Sequence, residues 1–387
     1  MKGKKLFYIL AGMILIAGTI SVLLLYMPKT IEKEKSTPSI DIVEKIVNDM
    51  TISDMIYQMM FVTPESITNV ERVTKAGETT KNALKKYPVG GIVYFSENFI
   101  SRDQTKEMIK NTQEFSKIPL FIGVDEEGGR VSRLGKNPAM GVTKFPPMKK
   151  IGEERDLEKA YKVGETLAND LKAIGFNVNF APDADVTVNE NNTEIGDRSF
   201  GSDPYIVSEM VKNVVEGMQN NGVSATIKHF PGHGSTYKNS HNGYSESART
   251  KQELQNCELL PFKEGIKAGV DFIMVSHMTL VNVCEEKVPS SISKEIITDM
   301  LITELGYEGI IITDSFSMGA VTKMYSDKEA AVKAVKAGAD MILIPQNPLT
   351  AHDAIYEAVK KGEITKERIE KSVRKILELK KEKKMLG

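Results

Sequence analysis

The 387-residue sequence has no tryptophan, only two cysteines and only five histidines. Cys257 and Cys284 are too few for a disulfide framework or a cysteine-based zinc site, which leaves either one bridge or two buried thiols. Charge of one sign is lacking too. The 51 basic and 52 acidic side chains give a net −1, and taking away the three lysines of the first 27 residues leaves −4. A mildly acidic remainder supplies no global basic field for nucleic acid. What is present in quantity is apolar surface: 41% of the residues are hydrophobic and 27% charged, enough for a sizeable core and wrong for a disordered or collagen-like chain. The length suits two or three average domains, or one large barrel-type domain with a short appendage.

Leu6 to Tyr26 is 21 residues without a charge, long enough to cross a bilayer as one helix. Lys2, Lys4 and Lys5 precede it, so the amino end is expected in the cytoplasm and the rest outside. A cleaved signal peptide competes with this reading, but its apolar core spans about 7–15 residues and ends in a small-x-small site. No convincing site follows Leu25, and no cysteine is there for a lipid. Residues 1–27 are therefore read as a signal-anchor or signal peptide. Residues 28–39, charged and twice interrupted by proline, read as a polar stalk.

Beyond the stalk, short apolar runs alternate with stretches of helical period. Eight runs have strand character: Tyr57 to Thr63, Gly91 to Phe95, Leu120 to Asp125, Asn177 to Ala181, Ser224 to His229, Asp271 to His277, Gly309 to Asp314 and Asp340 to Pro345. Near-continuous apolar content suits strands buried on both faces, and the long intervals suit helical crossovers, hence a parallel sheet. Eight such units in about 350 residues predict an α/β fold of the (β/α)8 TIM type, a single catalytic domain over residues 40–387. A doubly wound open sheet is the alternative, and the first run could equally be the end of a helix starting near Ile40. The final helix, about Thr365 to Lys384, carries Ile369, Val373, Ile376 and Leu377 on one stripe, a closing helix with a solvated basic face.

In such a barrel chemistry gathers where strands end, and the polar residues there are Asp125, Asp183, Lys228, His229, His277 and Asp314. Lys228-His229-Phe230-Pro231-Gly232-His233-Gly234 is a rigid turn; its proline and glycines remove the helix that two histidines four apart would need to share a metal. His233 can equally be a residue that pins that turn. The stretch Asn239-Ser240-His241-Asn242-Gly243 is poor in apolar residues, and a histidine in such a mobile loop, near its ordinary pKa of about 6.5, can move a proton near neutrality. It can equally be an ordinary surface histidine. Asp314, at the exit of a strand, is a candidate nucleophile or a helix N-cap. Asp125-Glu126-Glu127-Gly128-Gly129-Arg130, with Arg133 beyond, reads as a polar clamp in which carboxylates accept from hydroxyls and arginines hold carboxylates.

Taken in order, VDEEGGRVSRL (Val124 to Leu134), NVNFAPDADV (Asn177 to Val186), GDRSFG (Gly196 to Gly201), KHFPGHG (Lys228 to Gly234), NSH (Asn239 to His241) and TDSFSMGA (Thr313 to Ala320) resemble glycoside hydrolase family 3, in its β-N-acetylglucosaminidase branch. The likeness spans nearly everything after the stalk. It implies a retaining double displacement on a terminal β-linked N-acetylglucosamine, with cell-wall peptidoglycan fragments as the expected source, Asp314 as nucleophile and His241 as general acid/base. It also implies sugar contacts from Asp125, Arg133, Arg198, Lys228 and His229, and it calls for no metal or cofactor. Without tryptophan platforms, a pocket for one terminal sugar is expected in place of a long cleft.

The sequence departs from the branch at Asn239, where an aspartate two residues before the catalytic histidine usually orients and charges the imidazole. Asparagine can fix the ring but supplies no negative charge, which lowers the histidine's pKa and weakens the acid. Glu246 is a candidate to compensate. The alternatives are an N-acetylglucosaminide phosphorylase, a weakly active or non-catalytic sugar-binding surface protein, and a metal-dependent barrel hydrolase built on His229, His233, His241, His277 and Asp314.

Overall fold

A computed structural model describes residues 41–236 and 245–386. The 1–27 segment, the stalk, Asn239 and His241 lie outside the described residues. Among those described, no helix is long and apolar enough to cross a membrane.

Eight parallel strands form one sheet: β1 (Met60–Val62), β2 (Gly91–Val93), β3 (Phe121–Val124), β4 (Val178–Asn179), β5 (Ser224–Phe230), β6 (Phe272–Val275), β7 (Ile310–Thr313) and β8 (Ile342–Leu343). Each pairs with its neighbour in sequence, and β1 also pairs with β8. A single bridge between Ile312 and Met341 completes the ring between β7 and β8. All eight expected runs coincide with one of these strands, β5 alone running one residue past its expected end at His229, because only strands wrapped by helices outside and side chains inside can be apolar at successive positions. The order is that of a parallel barrel and not of a doubly wound sheet.

Inside, Phe61 of β1 meets Phe180 edge to face at 5.2 Å. Room for them comes from β3: a Cβ on Gly123 would lie 2.8 Å from the Phe61 ring and 3.0 Å from that of Phe180. Each strand is followed by a helix, ending with Pro348–Lys360 after β8. The ambiguity at the first run resolves into both readings in succession. Thr51 starts a helix over Ile52–Gln58, its Oγ1 accepting from the Asp54 N–H at 3.1 Å while its own N–H donates to the Asp54 carboxylate at 3.2 Å. The chain leaves that helix at Met59 and pairs as a strand from Met60.

The closing helix, Lys366–Glu382, buries Ile369, Val373, Ile376 and Leu377 completely. Its basic face is not wholly solvated as expected. Lys380, four residues past Ile376 on the same stripe, is fully buried. Its Nζ donates to Gln58 Oε1 at 3.0 Å and sits 5.0 Å from the centre of the Phe121 ring. The two cysteines are both free thiols, Cys284 buried and Cys257 half-buried.

Candidate active site

The strand ends on the β-to-α side carry the charged residues, and the chain builds each position from local contacts. At the exit of β3 a short antiparallel hairpin, Glu126–Gly128 with Val131–Ser132, follows Asp125. Asn179 of β4 fastens its base, accepting the Glu126 N–H at 3.0 Å and donating to the Glu126 carbonyl at 2.9 Å. The buried Glu126 carboxylate accepts from the Ser132 hydroxyl and from the backbone N–H of Arg133 (2.8 Å), Leu134 (2.7 Å) and Gly135 (3.2 Å). This clamp presents Arg133, which lies 3.5 Å from Asp125 Oδ2 with its guanidinium 5.5 Å from the centre of the Phe95 ring. The expected polar clamp is therefore real, and Glu126 is its structural member.

Arg198 comes from the turn Gly196–Arg198 in the loop after β4. Arg130 secures that loop by donating to the carbonyls of Thr193, Glu194 and Ile195 at 2.8, 2.5 and 2.9 Å. Arg198 then holds Glu127 in a bidentate pair, Nε to Oε2 and Nη2 to Oε1, both at 2.9 Å. At the exit of β5, Lys228 reaches Asp125 Oδ1 at 2.8 Å and Glu127 Oε1 at 2.6 Å. Burial works against the Lys228 charge, but Asp125 and Glu127 outweigh it and raise the pKa. Burial would likewise lift the Glu127 carboxyl, yet Arg198 and Lys228 hold it far below the usual carboxylate range.

Lys228 and His229 are neighbours that both border one cavity, where regular strand alternation would send them apart. The register of β5 against β6 shifts between Ile227 and Phe230, which allows it. Behind His229, Asp185 Oδ2 lies 2.7 Å from Nδ1, and Arg198, which can only donate, lies 3.2 Å from Nε2. The neutral ring therefore carries its proton on Nδ1, facing Asp185. Burial lowers the His229 pKa, and the Asp185 carboxylate more than restores it. His233 pins the turn, as its structural reading has it. Its N–H donates to Asp185 Oδ1 at 2.5 Å, its carbonyl accepts from Asn192 at 2.8 Å, and its Nδ1 lies 2.9 Å from Thr236 Oγ1. The glycine between the histidines is required: at Gly232, φ is +123° and a Cβ would come within 2.5 Å of that of Glu258.

At the exit of β7, the Asp314 N–H bonds the Val275 carbonyl at 2.9 Å, and its half-buried carboxylate accepts the Ser315 N–H at 2.7 Å. Asp314 does not cap a helix, since the N-cap of the short helix Gly319–Thr322 is Met318. Asp314, Asp125, Arg133, Arg198, Lys228 and His229 all line a single cavity of about 400 Å3. Phe95, Phe180, Met274 and Leu343 give it apolar wall, and two further carboxylates border it: Glu127, expected only as part of the polar clamp, and Glu194, which the sequence reading did not name.

Two of the residues expected to converge do not reach the cavity. Asp183 is wholly buried behind it, 3.4 Å from Arg198 Nε, and burial together with Asp185 pushes its pKa up to about 8. His277 is buried, and its Nε2 donates to the Ser315 carbonyl at 2.9 Å, which supports the segment after Asp314. Glu246 is exposed and does not border the cavity. Of the expected metal set of His229, His233, His241, His277 and Asp314, His241 lies outside the described residues and the other four form no compact donor group. The compact donor group among the described residues is Asp183, Asp185 and His229. Both Asp185 oxygens are committed to His229 and His233, and the Arg198 guanidinium occupies the neighbouring space, so these residues do not suit a cation. A larger groove of about 920 Å3 lies at the other end of the barrel beside Asp271, Tyr307 and Arg374, and none of the expected site residues among those described borders it.

A parallel barrel with a small pocket at its C-terminal face, where a carboxylate shares the walls with several donors and acceptors, has the form of a site for a small polar ligand. The sequence matches the Glycosyl hydrolase family 3 N terminal domain over residues 51–379, and the chain belongs to that family. It is 33% identical over 288 residues to a beta-hexosaminidase of Nitrosomonas eutropha, covering 73% of this chain and 81% of that protein. With beta-hexosaminidase A of Pseudoalteromonas piscicida it shares 34% identity over 285 residues, 68% of this chain and 46% of the other. Among solved structures, a glycoside hydrolase family 3 beta-N-acetylglucosaminidase from a Paenibacillus species superposes with a TM-score of 0.82 at 35% identity, over 87% of this chain and 64% of that one. The chain thus spans less than two thirds of the Pseudoalteromonas and Paenibacillus proteins.

Proposed function

We propose that the chain is a retaining exo-β-N-acetylglucosaminidase that removes terminal β-linked N-acetylglucosamine, drawn from peptidoglycan fragments. The observation that carries this reading is the single cavity of about 400 Å3 in which Asp314 shares the walls with Asp125, Arg133, Arg198, Lys228 and His229. Those five hold the sugar's hydroxyls and acetamido group, and the enclosed volume suits one terminal residue. Asp314 attacks the anomeric carbon as the bond to the leaving oxygen breaks. That oxygen takes a proton from His241, steered by Asn239. Water, deprotonated by the same histidine, then attacks the glycosyl-aspartate, returning the carboxylate and releasing N-acetylglucosamine. The Leu6 to Tyr26 segment anchors the enzyme in the cell membrane with the barrel outside, or is cut to release it. The relatives named beta-hexosaminidase and the N-acetylglucosaminidase structure support the substrate class.

The test is turnover of an aryl β-N-acetylglucosaminide, with and without phosphate. Wild type is expected to release free N-acetylglucosamine in both, and Asp314→Ala to lose at least about 1,000-fold in kcat. A variant retaining most of its rate overturns Asp314 as nucleophile. Sugar 1-phosphate as the main product overturns hydrolysis.

A further inference from the structure

The wall opposite Asp314 is a compact set of charges whose donors can be counted. Glu127, its side chain 1% exposed, spends both oxygens: Oε2 on Arg198 Nε, and Oε1 on Arg198 Nη2 and on Lys228 Nζ. Of the three ammonium N–H bonds of Lys228, which lines the cavity, one goes to Asp125 and one to Glu127, which leaves one without a partner among the described residues. Of the five guanidinium N–H bonds of Arg198, two go to Glu127, one to His229 Nε2 and one to the Glu194 carbonyl, which again leaves one. A single N–H matches a hydroxyl or an amide oxygen, whereas a phosphate, sulfate or carboxylate is favoured by paired donors with uncompensated charge.

We infer that Glu127 sets the charge selectivity of this pocket: together with Asp125 it offsets Arg198 and Lys228 while leaving each one N–H, so that the pocket admits an uncharged sugar and turns away a ligand bearing an anionic group in the same place. Glu127 is a positioning residue, acting on the ligand through the two cations it holds. The inference rests on the N-acetylglucosaminidase reading for the identity of the neutral sugar. With Gln at position 127 one acceptor and the negative charge disappear, and an amide donor faces two cations. Arg198 then loses its bidentate carboxylate and Lys228 keeps only Asp125, so the wall gains one positive charge toward the cavity, the kind of charge that favours oxyanions.

The experiment is calorimetric titration of the full chain with N-acetylglucosamine and, separately, with sodium sulfate at constant ionic strength, for wild type, Glu127→Gln and Glu127→Asp. Sulfate is chosen over phosphate because it does not act as a glycosyl acceptor. Wild type is expected to bind the sugar at least tenfold more tightly than sulfate. Glu127→Gln is expected to lose at least tenfold in sugar affinity and to gain at least tenfold in sulfate affinity, with sulfate and sugar competing. Glu127→Asp keeps the charge while withdrawing it by one methylene, so it should lose sugar affinity yet still exclude sulfate.

Loss of sugar binding in Glu127→Gln with no gain for sulfate shows a purely structural role and overturns the inference. If Glu127→Gln does not fold, Glu127→Asp decides: sulfate binding to it as tightly as wild type binds the sugar is an overturning result. Wild type that neither binds N-acetylglucosamine nor hydrolyses its aryl glycoside sinks the functional reading instead, a result distinct from a failure in the sulfate arm.

Discussion

Lys228 and Lys380 are both buried, one at each end of the same barrel, and their surroundings send their charges in opposite directions. Lys228 lies between the Asp125 and Glu127 carboxylates at 2.8 and 2.6 Å, and its pKa rises. Lys380 has one amide oxygen at 3.0 Å and the face of Phe121, and burial drops its pKa to about 7. Burial penalises an ammonium at either end; only paired carboxylates reverse the outcome. The mouth of the barrel therefore keeps fixed charges aimed at a ligand. The floor tolerates an amine that gives up its proton to remain inside, where its methylene stem packs with the apolar stripe.

Replacing Lys228 gives the largest expected effect. Lys228→Met leaves Asp125 and Glu127 facing an apolar side chain, and should destabilise the protein by about 3–5 kcal/mol in chemical denaturation while abolishing measurable turnover. Lys380→Met should do the reverse, stabilising by about 1–3 kcal/mol at pH 7 once the lost Gln58 contact is set against the relief of charge burial. Its pH dependence sharpens the contrast. Between about 7 and the ordinary lysine value of 10.5 the unfolded chain holds a proton that the folded chain has released, so wild-type stability rises with pH across that window. The Met variant lacks this contribution, and its advantage should shrink toward pH 10. Two lysine variants with the same sign would break the comparison.

A smaller effect belongs to the buried acid behind the site. Asp183, pushed up to about 8 by burial and Asp185, carries a proton at neutral pH, and asparagine has nearly its shape. The stability that this acid contributes is fully present below its ordinary value of 3.8 and is lost as the pH rises through about 8. Asp183→Asn should therefore gain on wild type by roughly 1–2 kcal/mol between about pH 6.5 and about pH 8 in denaturation midpoints. A difference that stays constant with pH would contradict a protonated Asp183.

Most of the barrel was legible, because strands such as Ile310–Thr313 are buried on both faces and reveal themselves as unbroken apolar runs. Most lengths were overestimated, since residues such as Asp125 and Asp314 belong to the loops that the strands feed, whereas β5 runs one residue past His229. Six of the residues that line the cavity fall within the motif blocks, and so does Glu127, read there only as one acid of the polar clamp although the signal for its place was present. It stands two residues after Asp125, and in an extended chain that spacing puts both carboxylates on one side, where Lys228 meets them. Lys380 could be found by the same logic at helical spacing from Ile376. Asp183 and His277 were overread because a polar residue at a strand end can face the wall behind a cavity as well as the cavity itself. No one-dimensional pattern separates the two.

The central claim is that the Asp314 carboxylate becomes bonded to the anomeric carbon of N-acetylglucosamine. An aryl N-acetylglucosaminide carrying fluorine at C5, which slows release of the intermediate, should leave the enzyme labelled after an acid quench. Peptide mass analysis is predicted to find one fluorinated N-acetylhexosaminyl group on the peptide containing Asp314. Turnover that leaves no label there, or a label on another carboxylate, would contradict the account.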